Sequence, residues 1–235
     1  MVVGGPPVHA GYIDRLFKAE ARGKIAFDRI VVVDRDPSCA AATRAGDRVR
    51  LAISSWDAWL SANLSAFGAA DHLVPYHWAP HVLLDWLGSE LRQRGFALTR
   101  NPDLSAPPAS PPVRRGTQAG DLAMSYAEWL CPPSCIEPAL CPHTRGPKIW
   151  SLATELGGAA DSFVFPCMHL AHGVGTIPLR SIFEVRDRIA SRLESDGGSA
   201  SPPLWISSAS HCHGLGARVE VTRAPKFSAP DTSGP

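Results

Sequence analysis

Three of the six cysteines fall within eleven residues, as Cys131-x3-Cys135-x5-Cys141, in the segment CPPSCIEPALCPHTRGPKIW (131–150), with His143 two positions further on. Five prolines in that segment, Pro132, Pro133, Pro138, Pro142 and Pro147, leave little room for a regular helix or strand. Thiolates are ligands for zinc and for iron–sulfur clusters, and a stiff loop can hold them ready for either. Cys131 and Cys135 are compatible in spacing with a zinc knuckle, whereas a third cysteine five residues on is unusual for one. A Cys-Pro also ends the bacterial ferredoxin run, but the Cys-x2-Cys-x2-Cys core of that run is absent. A cluster on Cys131, Cys135 and Cys141 needs a distant fourth ligand; Cys167 is the first candidate and Cys212 the second. Two plainer readings stand beside this one. Free cysteine packs as a small hydrophobe, the expectation for Cys39 in its alanine-rich segment, and paired cysteines can form disulfides.

The remaining histidines and acids tend to follow candidate strands. His9 follows the first, and Asp34 and Asp36 the second; His77 and His81 follow DHLV, with His72 inside it. Cys167, His169 and His172 follow SFVF, and His211, Cys212 and His213 follow LWIS. In an open parallel sheet such positions converge on the carboxyl rim, where ligands bind. His169 or His172 is then placed to act as an acid–base group. The alternative is that loops are simply polar.

The elements that would position these residues alternate between strand and helix. Val2-Val3 and the continuous run Ile30–Val33 read as buried parallel strands, Arg48–Ile53 and Asp71–Val74 as two more, and Phe96–Leu98 as a weaker fifth. Helical spacing marks 12–22, the region after Trp56, 82–94 with Val82, Leu83, Trp86, Leu87 and Leu91, and the segment from Leu179 to Leu193. Ser162–Phe165 is a strand, and Leu204–Ser207 and Arg218–Val221 pair as a terminal hairpin about a Gly214–Gly216 turn. The expectation is one α/β domain over 1–222: a Rossmann-like, mostly parallel sheet with helices on both faces. The proline- and serine-rich stretch 101–120 is a flexible loop, 121–150 a cysteine-rich metal-binding insert, and 223–235 a disordered tail.

The first 95 residues resemble a class I S-adenosylmethionine-dependent methyltransferase, on the Gly4-Gly5 turn after the first strand, Gly11 opening the helix, and VVVDRDPSCAAATRAGDRVRLAISSWDAWL. The resemblance implies a nucleoside site in which Asp34 holds a ribose and the Ser54–Asp57 turn meets the adenine. It departs at the glycine loop, where Pro6 and Pro7 remove N–H donors that would cradle a phosphate. That disfavours a pyrophosphate cofactor and leaves S-adenosylmethionine open.

With 235 residues, 45% hydrophobic content and a net charge of +1, the chain has the makings of a core and no footprint for nucleic acid or an anionic membrane. No secretory leader and no apolar span are evident, so the expectation is a cytoplasmic protein with reduced thiols and a small-molecule substrate. Oligomeric state is left open. The expected function is group-transfer or redox chemistry at the C-terminal rim of the sheet, in an enzyme with an iron–sulfur or zinc centre on Cys131, Cys135, Cys141 and Cys167. Its rivals are a non-catalytic metal-binding or sensing protein, and a degenerate scaffold that binds a partner protein.

Overall fold

The computed structural model describes residues 2–3, 8–75, 81–132, 134–171, 173–196 and 202–224. Readings that rest on Gly4, Gly5, His77, His172 or the tail beyond Ala224 lie outside the described residues. The chain runs β1 (Val2–Val3), α1 (Val8–Ala21), β2 (Ile30–Asp34), β3 (Val49–Ile53), α2 (Trp56–Asn63), β4 (His72–Pro75) and α3 (Val82–Gln93). It continues β5 (Phe96–Arg100), β6 (Val113–Gly116), β7 (Leu122–Ser125), α4 (Leu152–Gly157), β8 (Ser162–Pro166), β9 (Met168–Ala171), β10 (Val174–Pro178), α5 (Leu179–Ser195), β11 (Leu204–Ala209) and β12 (His213–Arg223).

The expected mostly parallel sheet is not what forms. Among the described residues there are two six-stranded sheets, one in the order β3-β2-β1-β4-β10-β9, the other β6-β7-β12-β11-β8 with β5 also paired to β12. Parallel pairing is confined to β1–β4 and to the β8–β11 pair. Every other pairing is antiparallel, which gives a mixed α/β architecture with mostly antiparallel sheets. The physical reason is connection length. A parallel pair needs a crossover long enough for a helix, whereas β6–β7, β9–β10 and β11–β12 are joined by turns of five residues or fewer, which force reversal. Hairpin strands β6, β7, β9 and β10 lie where the sequence shows little period-two patterning, and their pairing comes from the turns.

The terminal hairpin is present, but its turn is Ser210–Cys212, not Gly214–Gly216. Gly214 and Gly216 lie inside β12, opposite Ala209 and Ser207. A Cβ on Gly216 would stand 2.8 Å from Trp205 Nε1, so the strand accepts glycine there because the indole needs the space.

The main core lies between the second sheet and helices α3 and α5. Leu179, Ile182, Val185, Ile189 and Leu193 recur every three or four residues on α5 and are all buried, as helical periodicity requires. They meet Phe163, Phe165, Leu204, Ile206 and the α3 face of Leu83, Trp86, Leu87 and Leu91. A second, smaller core packs Ile13 and Leu16 of α1 against Ile30 and Val32. β2 is buried along its whole length, in keeping with its unbroken β-branched run. Among the described residues, no helix is long and apolar enough to cross a membrane.

Candidate metal centre and adjoining pocket

The cysteine segment fills the long connection from β7 to α4, and three backbone hydrogen bonds fix its two ends to the β11–β12 turn. Tyr126 N–H donates to the Cys212 carbonyl (2.9 Å), and Leu152 and Ala153 N–H donate to His211 and Ser210 (3.0 Å each). The end of β11, just before that turn, also meets the residue after β8, where Cys167 N–H donates to the Ala209 carbonyl (2.8 Å). Within the segment, Ala139–Lys148 folds back on itself. Lys148 N–H bonds the Ala139 carbonyl and Cys141 N–H the Gly146 carbonyl (2.9 Å each), with Arg145 at φ 58° turning the corner.

Glu137 joins the segment to the turn. Its carboxylate is 5% exposed and 3.8 Å from His169 Nδ1. One oxygen accepts from the Ser210 hydroxyl (2.7 Å) and Cys212 N–H (3.3 Å), the other from His211 N–H (3.0 Å). Its backbone has φ 52°, a region costly for a residue with a Cβ, and the carboxylate contacts hold it there. The sequence offered only an isolated acid between Ile136 and Pro138, and the reading above passed over it.

This arrangement encloses a cavity of about 290 Å³ whose walls include Cys131, Cys135, Cys141, Cys212, Glu137, Lys148, His169 and His213. The three loop cysteines are therefore brought together, and the fourth thiol beside them is Cys212. Cys167 is not on this wall. It lines an adjacent pocket of about 200 Å³, with Val74, His81, Val82, Ser208 and Leu215. The two spaces share Tyr12, His169, Gly173 and His213. The thiols ring the first cavity without converging on a point: among the described residues, no three His, Cys, Asp or Glu side chains are grouped to hold one metal ion. All six cysteines are free thiols, so the disulfide reading is not what the structure shows.

The sulfurs differ in what surrounds them. Cys135 Sγ accepts the Glu137 N–H (3.4 Å). Cys141 is held below the usual thiol value, first by the Thr144 backbone N–H and further by the His143 N–H and Lys148. Cys131 Sγ lies 3.8 Å from His213 Nε2; burial raises its pKa, and the neighbouring Cys135 and Cys141 raise it further. Burial pushes Cys212 up to about 11 against the opposing influence of the Trp150 indole and Lys148. The Trp129 and Trp150 indole N–H groups are buried without a well-formed hydrogen bond, yet each is close enough to favour the thiolate of Cys131 or Cys212. Cys167 has no such neighbours, and burial followed by the Glu137 charge drives it up to about 12.

His169 stands between the two spaces. Burial lowers its pKa, Glu137 opposes the shift and Lys148 adds to it. His213 is also lowered by burial, and its Nδ1 lies 2.9 Å from Ser125 Oγ. His81 is 2% exposed. Its Nδ1 accepts Leu84 N–H (3.0 Å) to cap α3, and burial pulls its pKa down to about 4. His211 pairs with Ser151 Oγ (3.1 Å) at the surface.

The residues read as a nucleoside site are placed elsewhere. Asp34 ends β2, where its Oδ1 accepts Asp36 N–H (2.9 Å), and it lines neither cavity. Gly11 lies within α1, and a Cβ there would meet nothing within 4 Å, so it makes no close approach that would demand glycine.

The fold and cavities define a mixed α/β protein whose cysteine loop closes over a β-hairpin turn. The chain belongs to the family described as AF_1314_C, uncharacterized protein, C-terminal domain, whose model matches residues 81–222. That description names no activity. The matched span takes in all the cavity cysteines, His169, His213 and the second sheet, and leaves β1–β4 outside. No curated protein and no solved structure matches the chain.

Proposed function

We propose that this protein is a metal-dependent enzyme. In this reading the Cys131–Cys141 loop supplies thiolates to a metal centre, iron–sulfur or zinc, and a small molecule reacts in the adjoining pocket. The observation that carries it is the shared wall: a cysteine-lined cavity and a pocket of mixed polar and apolar lining meet at Tyr12, His169, Gly173 and His213. Thiolates suit zinc and iron–sulfur centres, and the histidines bordering them suit proton transfer. His169 is the acid–base candidate, with the Glu137 carboxylate 3.8 Å from its Nδ1. Among the described residues no Lys or Arg lines the pocket, which favours an uncharged or weakly polar substrate part on that side. The chemistry is group transfer or redox.

The second reading, a non-catalytic metal-binding or sensing protein, draws on the exposed apolar side chains of the same loop. Leu130 is 97% and Ile149 89% exposed, with Ile136 and Leu140 more than half exposed, as at a surface that meets another protein. Anaerobic purification followed by metal analysis tests both readings, and a small-molecule binding screen by thermal shift separates them. Stoichiometric metal with ligand stabilisation that is lost in His169→Ala is the enzyme result. Metal without any pocket ligand is the sensor result. Absence of metal in both purified and reconstituted protein overturns both.

A further inference from the structure

We infer that the cysteine cavity is built for a polynuclear iron–sulfur cluster held by Cys131, Cys135, Cys141 and Cys212, with Lys148 as its fixed countercation, and not for a single zinc ion. The inference rests on the metal-centre reading above and narrows it to one cofactor class and one ligand set.

Three observations support an anionic thiolate centre, and the first of them separates a cluster from zinc. The first is spread. A tetrahedral zinc site draws four ligands to about 2.0–2.3 Å from one point. Here four thiols surround about 290 Å³, and none of the described His, Cys, Asp and Glu side chains form a group fit for one ion. Thiols bound to separate irons of one cluster need that wider spacing, and both two-iron and four-iron clusters take four cysteines.

The second is the set of N–H groups beside the sulfurs. Cys135 faces the Glu137 N–H, and Cys141 faces two successive backbone N–H groups, those of His143 and Thr144. Such a run of N–H groups ahead of the left-handed Arg145 forms the kind of concavity that receives anions and iron–sulfur sites. The Trp129 and Trp150 indole N–H groups, buried without a hydrogen-bond partner among the described residues, lie near enough to Cys131 and Cys212 to favour their thiolates. Donors around the sulfurs are among the features that set a cluster's potential.

The third is Lys148. Its Nζ is buried with no hydrogen-bond partner among the described residues, and it lies on the wall of this cavity. A buried ammonium without an acceptor is costly. A four-thiolate cluster carries net negative charge and would supply the missing partner. Four thiolates on zinc would carry the same formal charge, so Lys148 marks an anionic thiolate centre, and the spread of the thiols is what separates a cluster from zinc.

With four protein thiolates the cluster leaves no iron open to substrate. The small molecule in the adjoining pocket would then meet His169 and His213, not a metal.

The test is anaerobic reconstitution of the full chain with ferrous iron and sulfide, and separately with zinc, followed by iron, zinc and sulfide analysis, visible absorption and electron paramagnetic resonance of the reduced protein. The expected result is about two or four irons with matching sulfide per chain, lost in Cys212→Ser and kept in Cys167→Ser. Circular dichroism of each variant separates loss of ligand from loss of fold. Lys148→Met should shift the reduction potential to more negative values, and Lys148→Arg should restore it. One zinc, or one iron without sulfide, overturns this inference and leaves the proposed metal-dependent function standing; no bound metal overturns both. Cluster loss in folded Cys167→Ser with retention in Cys212→Ser overturns the ligand set.

Discussion

Cys167 and Cys212 occupy matching places in the fold. Each follows the end of a strand, β8 and β11, which run parallel as neighbours, and each is largely enclosed. Their surroundings differ sharply. Cys167 meets only burial and the Glu137 charge, and its sulfur lies 3.1 Å from where a Cβ on Gly175 would be. Cys212 is backed by the Trp150 indole and by Lys148, alongside Cys131. Burial alone makes an inert thiol that packs like a small hydrophobe. A thiol becomes a ligand when donors and a cation around it make the thiolate affordable in the interior.

The largest effect that could break this comparison is metal retention. Cys212→Ser and Cys135→Ser are expected to reduce bound metal to background in anaerobically purified protein, while Cys167→Ser keeps it, as read by metal analysis. Next comes a pH effect on the pocket side. His81 is neutral in the fold, with a pKa near 4 against 6.5 for the free side chain. Above 6.5 it is neutral in both states and costs nothing. As pH falls through that window the unfolded chain takes up the proton first, so stability should drop by about 3 kcal/mol between pH 6.5 and 4 and then level off. Urea unfolding against pH reads this, and His81→Asn, which keeps an acceptor for the Leu84 N–H, should flatten that part of the profile.

A somewhat smaller change is expected for Glu137→Gln. The amide keeps one acceptor but turns a donor towards the Ser210–Cys212 turn, and charged hydrogen bonds of this type contribute about 1.5–3 kcal/mol each. Both the unfolding midpoint and metal retention should fall; an unchanged midpoint would show that the turn holds its shape without the carboxylate. The smallest expected effect is Trp150→Phe, which removes one N–H beside Cys212 and leaves the ring. Metal affinity should weaken about 10-fold, the lower end for outer-shell changes, in a chelator competition, with little loss of stability.

Much of the helical framework could be read from sequence because its signal is local. The spacing of Leu83, Trp86, Leu87 and Leu91, and of Ile182, Val185 and Ile189, specifies α3 and α5 directly. Parallel pairing was over-read because Ile30–Val33 carries a strong buried-strand pattern, whereas β6, β7, β9 and β10 carry almost none. Their antiparallel pairing is imposed by turns such as Gly173, with φ 73°, which leave little trace in hydrophobic periodicity. The loop cysteines stood out by spacing alone. Choosing between Cys167 and Cys212 could not be done that way, because both follow strands and the difference lies in Trp150 and Lys148, neither adjacent to either in sequence. Glu137 and Lys148 were invisible as site residues because their roles arise only when the β7–α4 connection meets the last hairpin.

The joining of that connection to the last hairpin also sets an order in time. Cys131 and its neighbour His213 are separated by 82 positions, and β12 is the final described strand. While the chain is being synthesised, the loop cysteines emerge into a half-built chamber whose remaining wall has not yet been made. Nothing can be enclosed there until the last hairpin docks and Glu137 finds its turn. Closure of the cavity is therefore a late event in the life of the newly made chain, and truncation even a few residues short of β12 would leave the loop cysteines without their opposite wall.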